Sequence, residues 1–132
     1  MRARCSYSIS SMAGKDNSFL VIAGYHRCMN ELSVPRWSSD KAPTEQQLRR
    51  YYADEGMRAY RWSNGPGYHY SSHVHNYHKV IYVVSGFIMF GLPDQGESYT
   101  LQPGDRLDLP AGVRHDASVG LDGVVCLEGH WR

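Results

Sequence analysis

The stretch GYHYSSHVHNYHKVIYVVSG, residues 67–86, carries the pattern that decides the fold. It places four histidines within ten residues: His69, His73, His75 and His78. Residues two apart on a β-strand point to the same face, so His73 and His75 would present two imidazoles side by side. Imidazole is a good ligand for Zn, Cu, Fe and Ni, and the pair therefore indicates a transition-metal site. Exposed strands also carry His-x-His pairs without metal, so this motif alone leaves both interpretations open.

An alternation of polar and apolar side chains with period two runs through the chain from Met57 onward. It predicts strands near residues 57–62, 69–75, 79–84, 87–91, 97–101, 105–110, 114–119 and 123–131. Residues typical of turns separate these segments, including SG at 85–86 and GLDG at 120–123, and we interpret both as turns. About eight short strands at regular spacing predict an all-β sandwich or barrel.

One short helix is predicted before the strands, in APTEQQLRRYYADEGM at residues 42–57. Thr44 can cap the start of this helix, and Gln47, three residues later, completes a capping box. Gly56 is placed to end the helix. The apolar face of the helix would consist of three side chains at helical spacing: Leu48, Tyr51 and Tyr52.

Residues 1–42 differ from the rest of the chain, because they are rich in serine and show little periodicity. Within them, SFLVIAGYH at residues 18–26 predicts either an added strand, paired with the domain or with a second copy, or part of a poorly ordered tail. We therefore divide the chain into an N-terminal tail or added strand, residues 1–42, and a barrel domain, residues 43–132.

The composition argues against several classes of function. A chain of 132 residues with 42% hydrophobic and 20% charged residues favours one globular domain. Its net charge of +1 gives no reason to expect nucleic acid or an anionic membrane as a partner. Cys5, Cys28 and Cys126 form no CxxC pair, and the longest apolar run, at 19–23, is too short for a signal peptide or a membrane span. We therefore expect a cytoplasmic protein.

A second motif follows, GDRLDLPAGVRH at residues 104–115, with a glycine, a strand, a Pro-x-Gly turn and a histidine in that order. With both motifs present, the chain resembles the cupin superfamily over about residues 57–131. The residues that match the two cupin motifs are Gly67, His73, His75, Gly86, Gly104, Pro110, Gly112 and His115.

The resemblance implies an all-β cupin jelly-roll barrel, or double-stranded β-helix, with His73 and His75 on one strand and His115 on another. In the family these positions bind a divalent transition metal, often Fe, Mn, Ni or Zn. Some cupin-like dioxygenases, including thiol dioxygenases and a diketone-cleaving type, use three-His iron sites. The resemblance therefore implies an oxygenase or isomerase acting on a small polar molecule. Alternatives are a non-catalytic cupin that binds metal or a small molecule, and a barrel that has lost its metal.

The chain departs from the family pattern at Lys79, which stands where the first motif has glutamate, and at Val119, where the second motif has asparagine. A charged lysine about 5 Å from a divalent ion would be repelled by about 6–7 kcal/mol at an effective dielectric constant of about 20. Lys79 would then be neutralised by burial and the ion, or hold an anionic substrate, or turn away to pair with a carboxylate. The candidate carboxylates are Asp108, Asp116 and Glu128.

Residues between the two histidine positions offer further candidates. His78 faces away from His75 on an unbroken strand, so it becomes a fourth ligand only if a bulge at Asn76–Tyr77 turns it round. Tyr77 and Lys79 are the candidate pocket residues. Small cupins often form homodimers, which we also expect of this chain.

Overall fold

The computed structural model describes residues 31–131, and the strand predicted at 18–26 lies outside this range. In the described range, one helix, α1 (Glu45–Asp54), precedes six strands. No helix in this range has the length and apolar character needed to cross a membrane. The strands are β1 (Tyr60–Asn64), β2 (His69–His73), β3 (His78–Leu92), β4 (Glu97–Leu101), β5 (Arg106–Leu109) and β6 (His115–Trp131).

The two long strands, β3 and β6, pair with each other in antiparallel fashion along most of their length. In one half of the molecule β1 pairs with β6 and β5 pairs with β3, which gives the order β1-β6-β3-β5. In the other half β2 pairs with β6 and β4 pairs with β3, which gives the order β2-β6-β3-β4. Because β3 and β6 run through both halves, a single antiparallel sheet folds back on itself as a jelly-roll barrel.

The two halves of the sheet enclose one apolar core. Side chains alternate along β3, so that Ile81 and Val83 lie in this core while Val80 and Tyr82 pack on the outer face under α1. Strands of both halves contribute to the core, through Ile81, Val83, Leu107, Leu109 and Cys126 in one half and Ile88, Phe90, Leu92, Leu101, Ala117 and Val119 in the other.

The predicted helix is confirmed as α1, together with its cap. The Thr44 hydroxyl accepts from the backbone N–H of Gln47, and the Gln47 side chain accepts from the backbone N–H of Thr44. Tyr52 is buried on the inner side of the helix, where its hydroxyl lies 2.9 Å from the carbonyl oxygens of both Val80 and Leu127. These contacts attach α1 to the outer face of β3 and β6.

The turns predicted at residues 85–86 and 120–123 are wrong, because both stretches lie inside continuous strands. The chain does not reverse there, since β3 and β6 keep pairing on both sides of a register shift. Gly86 has φ of 75°, and a Cβ at this position would overlap the carbonyl oxygen of Gly123. Glycines that indicate a turn in the sequence therefore serve here as bulges that bend the sheet.

Residues 33–37, before α1, contact β5 and Asp105, the residue that precedes it. Ser33 and Asp108 form two backbone hydrogen bonds, of 3.1 and 2.8 Å, as an isolated antiparallel bridge. Arg36 forms an ion pair of 2.9 Å with Asp105. Residues 33–37 thus add to the edge of the barrel, while the boundary predicted between residues 42 and 43 stays a prediction.

Candidate metal centre

Three histidines meet at one end of the barrel. His73 ends β2 and His115 begins β6, and the two are direct partners in the antiparallel pairing of these strands. One nitrogen from each of His73, His75 and His115 lies within 4.8 Å of the others. The ring centroids are 4.7 Å apart for His73 and His75, and 4.4 Å apart for His73 and His115. The two motifs, about forty residues apart in sequence, therefore form a single cluster.

His75 reaches the cluster from a loop rather than from a strand. The prediction that His73 and His75 share a strand face is wrong, because β2 ends at His73. The backbone carbonyl of His75 accepts from the N–H of Gly112, at 2.8 Å, and the ring of Tyr77 stacks on the His75 imidazole at 4.9 Å. Gly112, in the Pro-x-Gly turn of the second motif, thus holds His75, the second histidine of the first motif.

Backbone carbonyls orient two of the imidazoles. His73 Nδ1 lies 2.6 Å from the Ser71 carbonyl oxygen, and His115 Nδ1 lies 2.9 Å from that of Val113. A carbonyl oxygen only accepts, so Nδ1 carries the proton in each ring and the Nε2 lone pair is left for a ligand. His115 Nε2 is buried and has no hydrogen-bond partner among the residues described. A bound metal ion would satisfy this nitrogen, so the donor set fits such an ion.

Two imidazoles of the cluster, those of His75 and His115, favour the neutral form. Burial, then the charges of Lys79, His115 and His73, lowers the pKa of His75 to about 4. Burial is also the main cause that lowers the pKa of His115. Neutral imidazole is the form that binds metal ions, so at neutral pH these rings need not lose a proton first.

Lys79 lies inside the same cavity and touches the cluster. Its Nζ is 3.2 Å from His75 Nε2 and 3.7 Å from a carboxylate oxygen of Glu128. Burial lowers the pKa of Lys79, while the Glu128 carboxylate acts in the opposite direction. The predicted pairing with a carboxylate is therefore present with Glu128, but the side chain does not turn away from the histidines.

The cavity around the cluster has a volume of about 280 Å³. Its polar lining consists of the three histidines, Lys79, Glu128 and Tyr77. The remaining lining residues are mostly apolar or aromatic: Trp62, Tyr70, Ile81, Ile88, Phe90 and Ala117. A shallower and more open depression shares His75 and Tyr77 with the cavity, and we take it as the entrance.

No protein-family model and none of the curated proteins matches the chain. Solved structures do match. The "DMSP lyases RdDddP and RnDddQII" structure is 28% identical, with a TM-score of 0.53, over 58% of this chain and 38% of that one. The polyketide cyclase RemF from Streptomyces resistomycificus is 25% identical, with a TM-score of 0.51, over 56% of this chain and 54% of that one. A DUF861 family protein from Thermotoga maritima is 18% identical, with a TM-score of 0.51, over 76% of this chain and all of the other.

The folded-back sheet, the two motifs and these structural matches agree. The chain has the cupin fold, a double-stranded β-helix. The match spans less than two thirds of the lyase and cyclase chains. The comparisons therefore establish the fold of this chain, and its activity is a separate question.

His78 does not join the cluster of this cupin. It lies on the outer side of β3, buried, with Nε2 3.6 Å from a carboxylate oxygen of Asp108. Asp108 is held in turn by two hydrogen bonds from Arg106, of 3.0 and 2.9 Å. The expectation that a bulge turns His78 toward the other histidines is not met, because β3 begins at His78 and alternates regularly from there.

A second polar network adjoins the histidines and was not predicted from the sequence. Glu128 accepts from Trp62 Nε1 at 2.9 Å, from the Tyr60 hydroxyl at 3.1 Å and from His130 Nε2 at 2.7 Å. The Tyr77 ring packs against His130 at 4.1 Å, so the network is continuous with the cluster. The sequence signal for this network was an acidic residue at an inward-facing position of β6. Glu128 follows Cys126 by two residues, and Cys126 lies in the barrel core.

Proposed function

We propose that this cupin is a metal-dependent enzyme of oxygenase or isomerase type that acts on a small polar or anionic molecule. His73, His75 and His115 would hold a divalent Fe, Mn, Ni or Zn ion. The observation that carries the proposal is His115 Nε2, a buried lone pair without a partner among the described residues, beside two further imidazoles. When bound, the ion would supply Lewis-acid chemistry or a redox centre.

The other residues of the cavity would position the substrate. Three protein ligands leave coordination positions open, as catalytic sites require and closed structural sites do not. The apolar wall around Trp62 and Phe90 excludes water and favours a ligand with an apolar part. Lys79 and Tyr77 line the same cavity, where their polar atoms can bind the reacting part of a substrate.

Two matched structures have names that state an enzymatic activity, one a lyase and one a cyclase. These likenesses support a catalytic function but not a particular reaction. One observation favours an alternative without a bound metal, either a non-catalytic cupin that binds a small molecule or a barrel that has lost its metal. Lys79 lies 3.2 Å from His75 Nε2, so it occupies a lone pair that a metal ion would use.

An activity screen separates these functions. The protein is loaded in turn with Fe²⁺, Mn²⁺, Ni²⁺ and Zn²⁺ and assayed for oxygen consumption and for product on thiols, diketones and sugar acids. We expect turnover with at least one ion, abolished in His115→Ala and retained in His69→Ala. His69 is the matched control because it lies on β2 near the cluster but is exposed and hydrogen-bonded to Ser118. Metal binding without turnover on any substrate would favour the non-catalytic alternative.

A further inference from the structure

Lys79 has hydrogen-bonding capacity that the described protein does not use. Within hydrogen-bonding distance, its Nζ has one described partner, His75 Nε2 at 3.2 Å. An ammonium group has three donors, so at least two are unused in a side chain that is 11% exposed. A buried donor without an acceptor is costly, and the cavity is where an acceptor can bind.

Glu128 does not accept a hydrogen bond from the unused donors of Lys79. Its nearer oxygen lies 3.7 Å from Nζ, beyond a hydrogen bond. The carboxylate already accepts from Trp62, Tyr60 and His130. It balances the charge of Lys79 from a fixed position, and it leaves the donors of Lys79 directed at other acceptors.

The one hydrogen bond that Lys79 makes competes with a metal ion. His75 Nε2 has a single lone pair, which serves either the amine of Lys79 or a metal. A metal ion at the cluster would displace Lys79 from His75, and the nearest described acceptor, the Glu128 carboxylate at 3.7 Å, already accepts three hydrogen bonds. Loss of this bond would weaken metal binding, unless another acceptor enters the cavity together with the metal.

We propose that Lys79 is the anion-binding residue of this site, and that a carboxylate ligand and a divalent metal bind cooperatively. The metal takes the lone pair of His75, and the carboxylate accepts from the displaced amine. Linkage makes the effect reciprocal, so each of the two ligands raises the affinity for the other. This inference rests on the proposed function, because it requires the three-histidine site to hold a metal.

The cavity indicates which kind of anion fits. Its volume of about 280 Å³ admits a small molecule, and aromatic and aliphatic side chains line it together with Lys79. A compact carboxylate with one apolar part would place its charge at Lys79 and its apolar part against Trp62 and Phe90. Benzoate and acetate are suitable probes, and benzamide is the neutral counterpart of benzoate.

The test is a Co²⁺ titration followed by visible absorption, with benzoate, acetate, benzamide or no addition. In the wild-type protein we expect benzoate or acetate to tighten Co²⁺ binding about tenfold, and benzamide to have no effect. In Lys79→Met, Co²⁺ binds more tightly than in the wild type without any anion, and the carboxylate effect disappears. Lys41→Met makes the same change at an exposed lysine and behaves as the wild type.

The outcomes separate this inference from the proposed function. The role of Lys79 alone is overturned if neither benzoate nor acetate changes the affinity for Co²⁺. It is also overturned if they change this affinity equally in the wild type and in Lys79→Met. Absence of Co²⁺ binding in the wild type overturns both proposals. Lys79→Met should fold, because Glu128 keeps its three donors, and Lys79→Gln serves as a second variant if it does not.

Discussion

Gly86 has no room for a side chain. It adopts φ of 75° at the bend in β3, and the carbonyl oxygen of Gly123 on β6 occupies the space that a Cβ would need. Gly96, in the turn between β3 and β4, has a similar φ of 68°, but a Cβ there would meet no atom within 4 Å. Both glycines need a positive φ, but another strand approaches closely only at Gly86.

The comparison of Gly86→Ala with Gly96→Ala isolates that close approach. Both substitutions should lower the free energy of unfolding by about 1–2 kcal/mol, because both force an alanine into the left-handed region. Gly86→Ala should cost about 1–3 kcal/mol more, since β3 and β6 must also move apart. Urea denaturation of the two variants measures the difference. Equal losses of stability would mean that the bend tolerates a side chain.

The sequence predicted one side-chain partner of Glu128 and missed the others. The sequence offered Asp108, Asp116 and Glu128 as candidate partners for Lys79, and the ion pair is present with Glu128. It gave no reason to connect Glu128 with Trp62 and Tyr60, since these lie more than sixty residues away on β1 and meet Glu128 only through strand pairing. The polar network was beyond prediction for that reason.

At the scale of elements, α1 depends on one buried hydroxyl. Tyr52 contacts two strands through its hydroxyl, which lies 2.9 Å from the carbonyl oxygens of Val80 and Leu127. Tyr51, the next residue, packs its ring against Tyr82, and its hydroxyl has no hydrogen-bond partner among residues 31–131. The neighbouring tyrosines therefore differ in their polar contacts while lying on the same helix.

We expect Tyr52→Phe to lower the free energy of unfolding by about 1 kcal/mol, because a buried hydrogen bond is lost while the ring remains. Tyr51→Phe makes the same chemical change without losing such a bond, and its stability should stay close to that of the wild type. Thermal unfolding followed by circular dichroism measures both variants. A larger effect for Tyr51→Phe would contradict this account of how α1 is attached.

Elements with local signals were predicted well, and those with long-range causes were not. The capping box of α1 involves Thr44 and Gln47, three residues apart, and a local pattern is sufficient to predict it. The bends at 85–86 and 120–123 contain the residues of a turn, and only the continued pairing of β3 with β6 shows them to be bulges. The loop position of His75 likewise follows from its bond to Gly112, which the spacing of His73 and His75 does not reveal.

At the scale of the whole molecule, the pairing of β2 with β6 creates the candidate site. The cupin resemblance predicted that His73, His75 and His115 meet, and the structure brings their rings together. Periodicity without that resemblance would predict an all-β fold but no cluster, because nothing local connects residue 75 with residue 115. The expected homodimer and the boundary near residue 42 stay predictions, since neither follows from the contacts of one chain.

A metal ion at the cluster would join β2, its following loop and β6, and its presence is the central claim. The most direct measurement is the metal content of protein loaded with Fe²⁺, Mn²⁺, Ni²⁺ or Zn²⁺ and freed of excess ion, by elemental analysis. We expect about one equivalent per chain for the wild type and for His78→Gln, and below about a tenth of an equivalent for His73→Ala and His115→Ala. A wild-type protein that retains none of these ions, or retention unchanged in both alanine variants, would contradict the account.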